Sequence, residues 1–316
     1  MPILGIIASA HLIAPSGAAR GLFGGGRDAS AITNVIEYID VETLGNGTDF
    51  GDLTAARGDI AGCASATRGL FMGGYTMPSY VNSNVIDYVT IASAGNATDF
   101  GDLTVATSGA AAGFNSSTRG VRAGGYDSGN TDVIDYVTIA SAGNATDFGD
   151  LTVGRSYCAG ASSSTRGLTM SGNSGSVSNV IDYVTIATAG NATDFGDAAT
   201  ARYYTRGGGS STRAVYGAGQ GTGGTFPKNI EYVTIATTGN ATNFGDLKAT
   251  NTLYEPSAVS SALRVVYGGG VNPNNGALYS LMRYITIATT GDATDFGDLI
   301  AGRTGMAGIS NGNGGL

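Results

Sequence analysis

Residues able to do acid, base, nucleophilic or metal chemistry are few in this chain, and most of the carboxylates recur in one repeated string. There is one histidine, His11, near the N-terminus. A Ser-His-Asp arrangement or a histidine-rich metal site would have to be built on it alone, and no other element of such a site accompanies it, so the chain reads as non-enzymatic. Cys63 and Cys158 fall at non-equivalent positions of the repeat and read as small buried residues, with no disulfide framework. The recurring string is G-N-A-T-D-F-G-D. Its first acidic position is Asp49, Asp99, Asp147, Asp194 and Asp295, with Asn243 in the fifth copy, and its second is Asp52, Asp102, Asp150, Asp197, Asp246 and Asp298. Two carboxylates and nearby carbonyls could begin a calcium shell, which wants six to eight oxygens. The preferred reading is turn chemistry, in which Asp and Asn side chains bond nearby backbone N–H groups. The N-x-T sequons at Asn46, Asn96, Asn144, Asn191 and Asn240 sit inside the same turn and take the same structural reading. No metal and no cofactor is expected.

The elements that carry these residues follow from the repeat. Residues 85–105, VIDYVTIASAGNATDFGDLTV, recur letter for letter at 133–153. Looser copies begin near Val35, Val180, Ile230 and Leu281. An arginine anchor stands at Arg20, Arg68, Arg119, Arg166, Arg213 and Arg264, with steps of 48, 51, 47, 47 and 51 residues. Six residues after each arginine comes Gly26, Gly74, Gly125, Gly172, Gly219 or Gly270, and an aromatic anchor follows at Phe50, Phe100, Phe148, Phe195, Phe244 and Phe296. Each unit reads as four short strands: a small-residue segment, a strand starting at the arginine, the β-branched VIDYVTIA, and ATDFGDLTV. No stretch carries a helical period, and 53 glycines are too many for long helices. Four strands per unit at this period predict a propeller blade, with a long-runged β-solenoid as the alternative. Six units predict a closed ring.

The order of these anchors resembles the kelch repeat: Arg68, Gly73-Gly74, Asp87-Tyr88, then Phe100 with Leu103. The chain departs from it in having no tryptophan and in softening the Gly pair to Ser171-Gly172 and Ala218-Gly219. The resemblance covers all six units and implies an all-β, six-bladed kelch-like propeller with four-stranded antiparallel blades. The Tyr-and-His ligand set of kelch-type copper oxidases cannot be assembled here. The glycines are expected to let blades approach near the axis, and the acidic residue before each tyrosine (Glu37, Asp87, Asp135, Asp182, Glu231) to pair with the anchor arginine on the adjacent strand. Arg283 occupies the acidic position in unit six, so that pair must differ. The segment GRTGMAGISNG near the C-terminus resembles a first strand, as in GRSYCAGASSS at 154–164, so the C-terminal strand is expected to close the ring. Residues 1–19 are then an N-terminal arm or extra strand, and 20–316 the propeller. The opening run MPILGIIASAHLIAPSG lacks the basic start and the long apolar stretch of a signal peptide.

Loops that vary on a constant scaffold are where recognition concentrates. The first-to-second and third-to-fourth turns are nearly constant and are expected on one face. The other connections vary and carry Tyr75, Tyr80, Tyr126, Phe226 and Tyr279, with Tyr203, Tyr204 and Tyr254 between blades. Tyrosine among Asn, Ser and Gly suits adaptable recognition. The net charge is −8 with no Lys/Arg block, which excludes the basic footprint of a nucleic-acid binder, and no segment is apolar over the length of a membrane span. The start MPILGIIASA and the repeat IDYVTIASxGNATDFGDLT resemble structural proteins of tailed bacteriophages, especially marine ones. That resemblance implies a virion protein, of the tail or tail fibre, with other virion proteins as partners in a larger symmetric assembly and a host-surface glycan or protein as receptor. A capsid decoration protein and a stand-alone glycan-binding lectin are the alternatives.

Overall fold

The computed structural model describes residues 19–247 and 253–316. Residues 1–18, which hold His11 and nearly all of the expected arm, lie outside the described residues. The described chain forms six four-stranded antiparallel blades. In blade two the order from axis to rim is Ala61–Ala64, Arg68–Met72, Val85–Thr90 and Thr98–Asp102. The other blades repeat this order, and the second strand begins at the anchor arginine in all six. The inner strand of blade one is Ala307–Ser310, which pairs antiparallel with Arg20–Gly24. The C-terminal strand therefore closes the ring, as predicted. Each inner strand packs against the inner strands of both neighbouring blades, all the way round.

The hydrophobic cores lie between blades. One joins Leu168, Met170 and Phe195 of blade four to Tyr216, Val233 and Ile235 of blade five, and another joins Phe23 and Ile39 of blade one to Val266 and Phe296 of blade six. Both faces of a blade are thus covered, which is why adjacent residues such as Ile86 and Asp87 are both fully buried. Cys63 and Cys158 are free and buried, as expected. Loss of hydration pushes their thiols up to about 12 and about 11.

The anchor arginine does not pair with the acidic residue. Arg68 opposes Thr90 and Leu70 opposes Tyr88, so Arg68 and Tyr88 share one face while Asp87 points to the other. Each anchor guanidinium stacks on its blade's tyrosine, 4.3 to 4.5 Å from the ring centroid. That tyrosine in turn meets the aromatic anchor edge to face, as Tyr88 does Phe100 and Tyr136 does Phe148. The guanidinium also donates to a carbonyl of the next blade, Arg68 to Ile139 and Arg119 to Ile186, both at 2.9 Å.

The buried acids pair instead with an arginine in the blade-to-blade connection. Arg57–Asp87 and Arg155–Asp182 are at 2.7 Å and Arg202–Glu231 at 2.6 Å, and Arg303 bonds Glu37. The connection into blade three has no arginine. There Arg122, directly across from Asp135 on the second strand, takes over at 3.9 Å and donates to Thr107. Desolvation pulls the Arg122 guanidinium down to about 10, against the pull of Asp135. In blade six the acid is replaced by Arg283, whose Nη1 donates to the Leu247 carbonyl at 3.1 Å.

The repeated glycines are also not at the axis. Gly74 follows the second strand at φ +98°, and a Cβ there would lie 2.5 Å from the Gly58 carbonyl oxygen in the incoming connection. Gly62, Gly113, Gly160 and Gly308 of the inner strands line the axis instead. On the constant face the sequon asparagines bridge blades and do not fix their own turn. Asn96 accepts the Asp52 N–H, Asn144 that of Asp102 and Asn191 that of Asp150, all at 3.1 Å. The same bond crosses the ring closure from Asp298 N–H to Asn46 at 3.0 Å. Replacing Asn144 with Ala is expected to cost about 1 kcal/mol, the net worth of one hydrogen bond. The urea midpoint would check it, and an unchanged midpoint would show the bridge to be idle.

Candidate functional site

The axis is closed at one end and open at the other. Glycine and alanine bring the inner strands so close that the channel narrows to voids of about 50 and 40 Å³. On the constant face, Asn313 exchanges amide hydrogen bonds with Asn115 at 3.1 and 3.2 Å, and Gly314 sits against Ser162 and Ser210. The segment after the closing strand thus stoppers that end. At the opposite mouth, between the variable loops, lies a cavity of about 560 Å³. That is within the roughly 300–1,000 Å³ range of small-molecule sites.

The floor of this cavity comes from one repeated position. Two residues before each inner strand the backbone is left-handed: Asp59 (φ 54°), Ala110 (37°), Tyr157 (57°), Tyr204 (56°), Glu255 (56°) and Gly305 (66°). For the five non-glycine residues this conformation costs of order 1 kcal/mol each, and such strain persists where the surroundings enforce it. At Asp59, Ala110 and Tyr157 bonds between blades enforce it. The Asp59 N–H donates to the Gly305 carbonyl at 2.9 Å, Ala110 N–H to Asp59 at 3.1 Å, and Tyr157 N–H to Gly109 at 2.6 Å. Six left-handed backbones at equivalent positions make a collar, and their side chains differ: two carboxyls, two phenols, one methyl and one glycine.

Two carboxyls meet across this collar. Asp59 and Glu255 line the same cavity side by side, and both are nearly inaccessible to solvent. They come from blades two and six, on either side of blade one, whose collar residue is Gly305. A Cβ on Gly305 would stand 2.8 Å from Asp59 Oδ1 and 3.6 Å from Glu255 Oε1, so glycine makes room for the pair. The Thr304 hydroxyl holds Glu255 in place, at 3.0 Å from Oε2 and 2.9 Å from its carbonyl. Burial first, then the Glu255 charge, push Asp59 well above the ordinary carboxylate range, against the pull of Arg206 and Arg27. The protonated form of Asp59 is thereby favoured, and a protonated carboxyl can both donate and accept a hydrogen bond. Arg206 lines the channel in the same region, and its buried Nη2 has no hydrogen-bond partner.

An acid held above its unfolded pKa binds more protons folded than unfolded, so its contribution to stability falls as pH rises from about 3.9, the ordinary Asp value, through the raised one. Asp59→Asn removes that loss. The variant's melting temperature is expected to match the parent's at pH 4 and to exceed it increasingly toward pH 8. A constant difference across that range would contradict the upward shift at Asp59.

Aromatic residues form the walls. Tyr75 and Tyr80 stack with centroids 4.1 Å apart and planes at 17°. Tyr157 and Tyr204 approach to 3.9 Å, and Tyr203, Tyr254 and Phe226 continue that cluster behind them. Burial raises the Tyr75, Tyr157 and Tyr204 phenols, which stay protonated as donors. Of the eight aromatic residues predicted for recognition, Tyr75, Tyr80 and Tyr204 line the cavity, and Tyr203, Tyr254 and Phe226 support it. Two lie apart. Tyr126 is exposed outside the cavity lining, beside Asn82, and Tyr279 packs on the core between blades five and six.

No protein-family model matches the chain, and no curated protein does. What the site does must come from its own geometry.

Asp59, Tyr157, Glu255 and Arg27 were not singled out from the sequence. A signal was there: RGDIAG, RSYCAG, RYYTRG and LYEPSA align so that Asp59, Tyr157, Tyr204 and Glu255 share one column. Variation in a column inside an otherwise small-residue segment marks it. Among the described residues no group of three or more His, Cys, Asp and Glu comes together. No described helix is long and apolar enough to cross a membrane.

Proposed function

We propose that this propeller is a non-enzymatic recognition module of a tailed-phage particle, tail or tail-fibre associated, which engages the host surface through its variable face. The observation that carries the reading is the contrast between the two axial ends. The variable end opens into a tyrosine-walled cavity, while the constant end is stoppered by the chain itself. A binding module needs one differentiated surface on a rigid support, and the inter-blade bonds supply the support. The constant face, with six near-equivalent turns and exposed Leu44 and Leu263, suits docking on other virion proteins of matching symmetry. The resemblance of the repeat to phage structural proteins points to the particle as its place. A capsid decoration protein would use the same two faces, and a free lectin would use only the variable one.

Quantitative mass spectrometry of purified virions tests this reading. The expected result is a fixed copy number per particle, in proportion to the tail proteins. Absence from the particle would overturn it, and a copy number scaling with the capsid lattice would move the protein to the head.

A further inference from the structure

The axial cavity has a chemistry of its own, and it sharpens the recognition reading above by naming a ligand class. Its wall is aromatic, from Tyr75, Tyr80, Tyr157 and Tyr204, and its floor is the Asp59–Glu255 pair. Aromatic faces bury the C–H face of a ring, while carboxylates and phenols exchange hydrogen bonds with hydroxyls. The charges lining the mouth largely cancel. Arg27 stands beside Asp28, and Arg206 lies below the carboxyl pair. Asp28 is occupied within its own turn, accepting the Ser30 and Ala31 N–H groups at 2.7 and 2.9 Å. An anionic ligand would meet the carboxyl floor, and a wholly apolar one would leave the carboxyl pair without a partner.

We propose that the axial cavity binds a neutral saccharide unit, with a sugar face against the tyrosine wall and its hydroxyls on the Asp59–Glu255 pair. Variation around the collar then has a reason. Six equivalent positions on one axis could present six copies of one side chain, yet they present two carboxyls, two phenols and two small residues. An asymmetric ligand on a pseudo-symmetric axis requires that difference. Ala110 and Gly305 leave space, and the other four supply contacts.

The test is ligand-observed saturation-transfer NMR and calorimetry on the full chain. The probes are neutral mono- and disaccharides of glucose, galactose, mannose and N-acetylglucosamine, with glucuronate and inorganic phosphate as anionic arms. Expected is one site per chain for at least one neutral sugar. Tyr80→Ala and Asp59→Asn should each weaken it by 10-fold or more, and Tyr126→Ala, outside the lining, should leave it unchanged. Melting curves would establish that each variant is folded, and Glu255→Gln replaces Asp59→Asn if the latter is not. Binding by the anionic arms alone, binding unaffected by the cavity variants, or no binding to any neutral probe would overturn the proposal. The two readings fail separately. A protein present in virions whose cavity takes no sugar loses only this inference, and a sugar binder absent from virions loses only the phage assignment.

Discussion

Ending the chain after Gly305 is expected to abolish the folded ring. This truncation removes Ala307–Ser310, the inner strand of blade one, and with it Met306 and Ile309, which are 0% and 3% exposed. Burying each of those two side chains contributes about 1.5–3 kcal/mol. The strand Arg20–Gly24 would become an open edge, and the inner strands Ala61–Ala64 and Ser257–Ser260 would each lose a neighbour across the axis. Against a typical total stability of about 5–15 kcal/mol, those two side chains alone remove a large share of the margin, and the opened edge adds to the loss. Ending the chain after Ser310 is a different experiment. It keeps the strand and removes the stopper, including the Asn313–Asn115 bonds and the 2.7 Å bond from Arg20 N–H to Asn311. That variant should fold and melt cooperatively a few degrees lower. Circular dichroism melting with size-exclusion chromatography would decide, and cooperative melting of the shorter variant near the parent temperature would refute closure by this strand.

The second large effect concerns the buried ion pairs. Replacing Arg57 with Ala leaves the Asp87 carboxylate buried, with Thr54 as its remaining partner. Breaking one partner of a fully buried pair costs about 3–5 kcal/mol, because an uncompensated charge stays in the interior. Arg57 also donates 2.6 Å bonds to the Gly73 and Val85 carbonyls, so its loss unties the incoming connection from the blade. Glu42→Ala is the internal control. It removes the partly exposed Arg264–Glu42 pair at 3.8 Å, and surface pairs contribute about 0–1 kcal/mol. Urea midpoints of the two variants would be compared. Equal shifts would mean that the connection arginines are not holding the blades.

Much of the scaffold was legible in the residues. Six copies of Arg, Gly and Phe at near-constant spacing specify six like units, and β-branched alternation specifies strands. The likeness of residues 302–312 to other first strands identifies the closing element, because a repeat that lacks its own first strand must borrow one. The partner of each acid was misjudged for a geometric reason. Asp87 and Tyr88 are adjacent in sequence, so they face opposite sides of a strand, and only the register places Arg68 over Tyr88. In the same way the sequon asparagines look like local turn residues until the neighbouring blade is seen beside them.

The candidate site divides along the same line. The sequence by itself determined which face varies and which aromatic residues the variable loops carry, since those are properties of composition and period. Only the tertiary structure decided that Tyr75, Tyr80 and Tyr204 meet and that Tyr126 and Tyr279 do not. It also brought Asp59 and Glu255, nearly two hundred residues apart in sequence, side by side on the floor of one cavity. The physical reason is ring closure. Blades two and six become near neighbours across blade one only when the last strand completes the first blade. The collar residues converge on the axis only then, and no local pattern encodes that meeting.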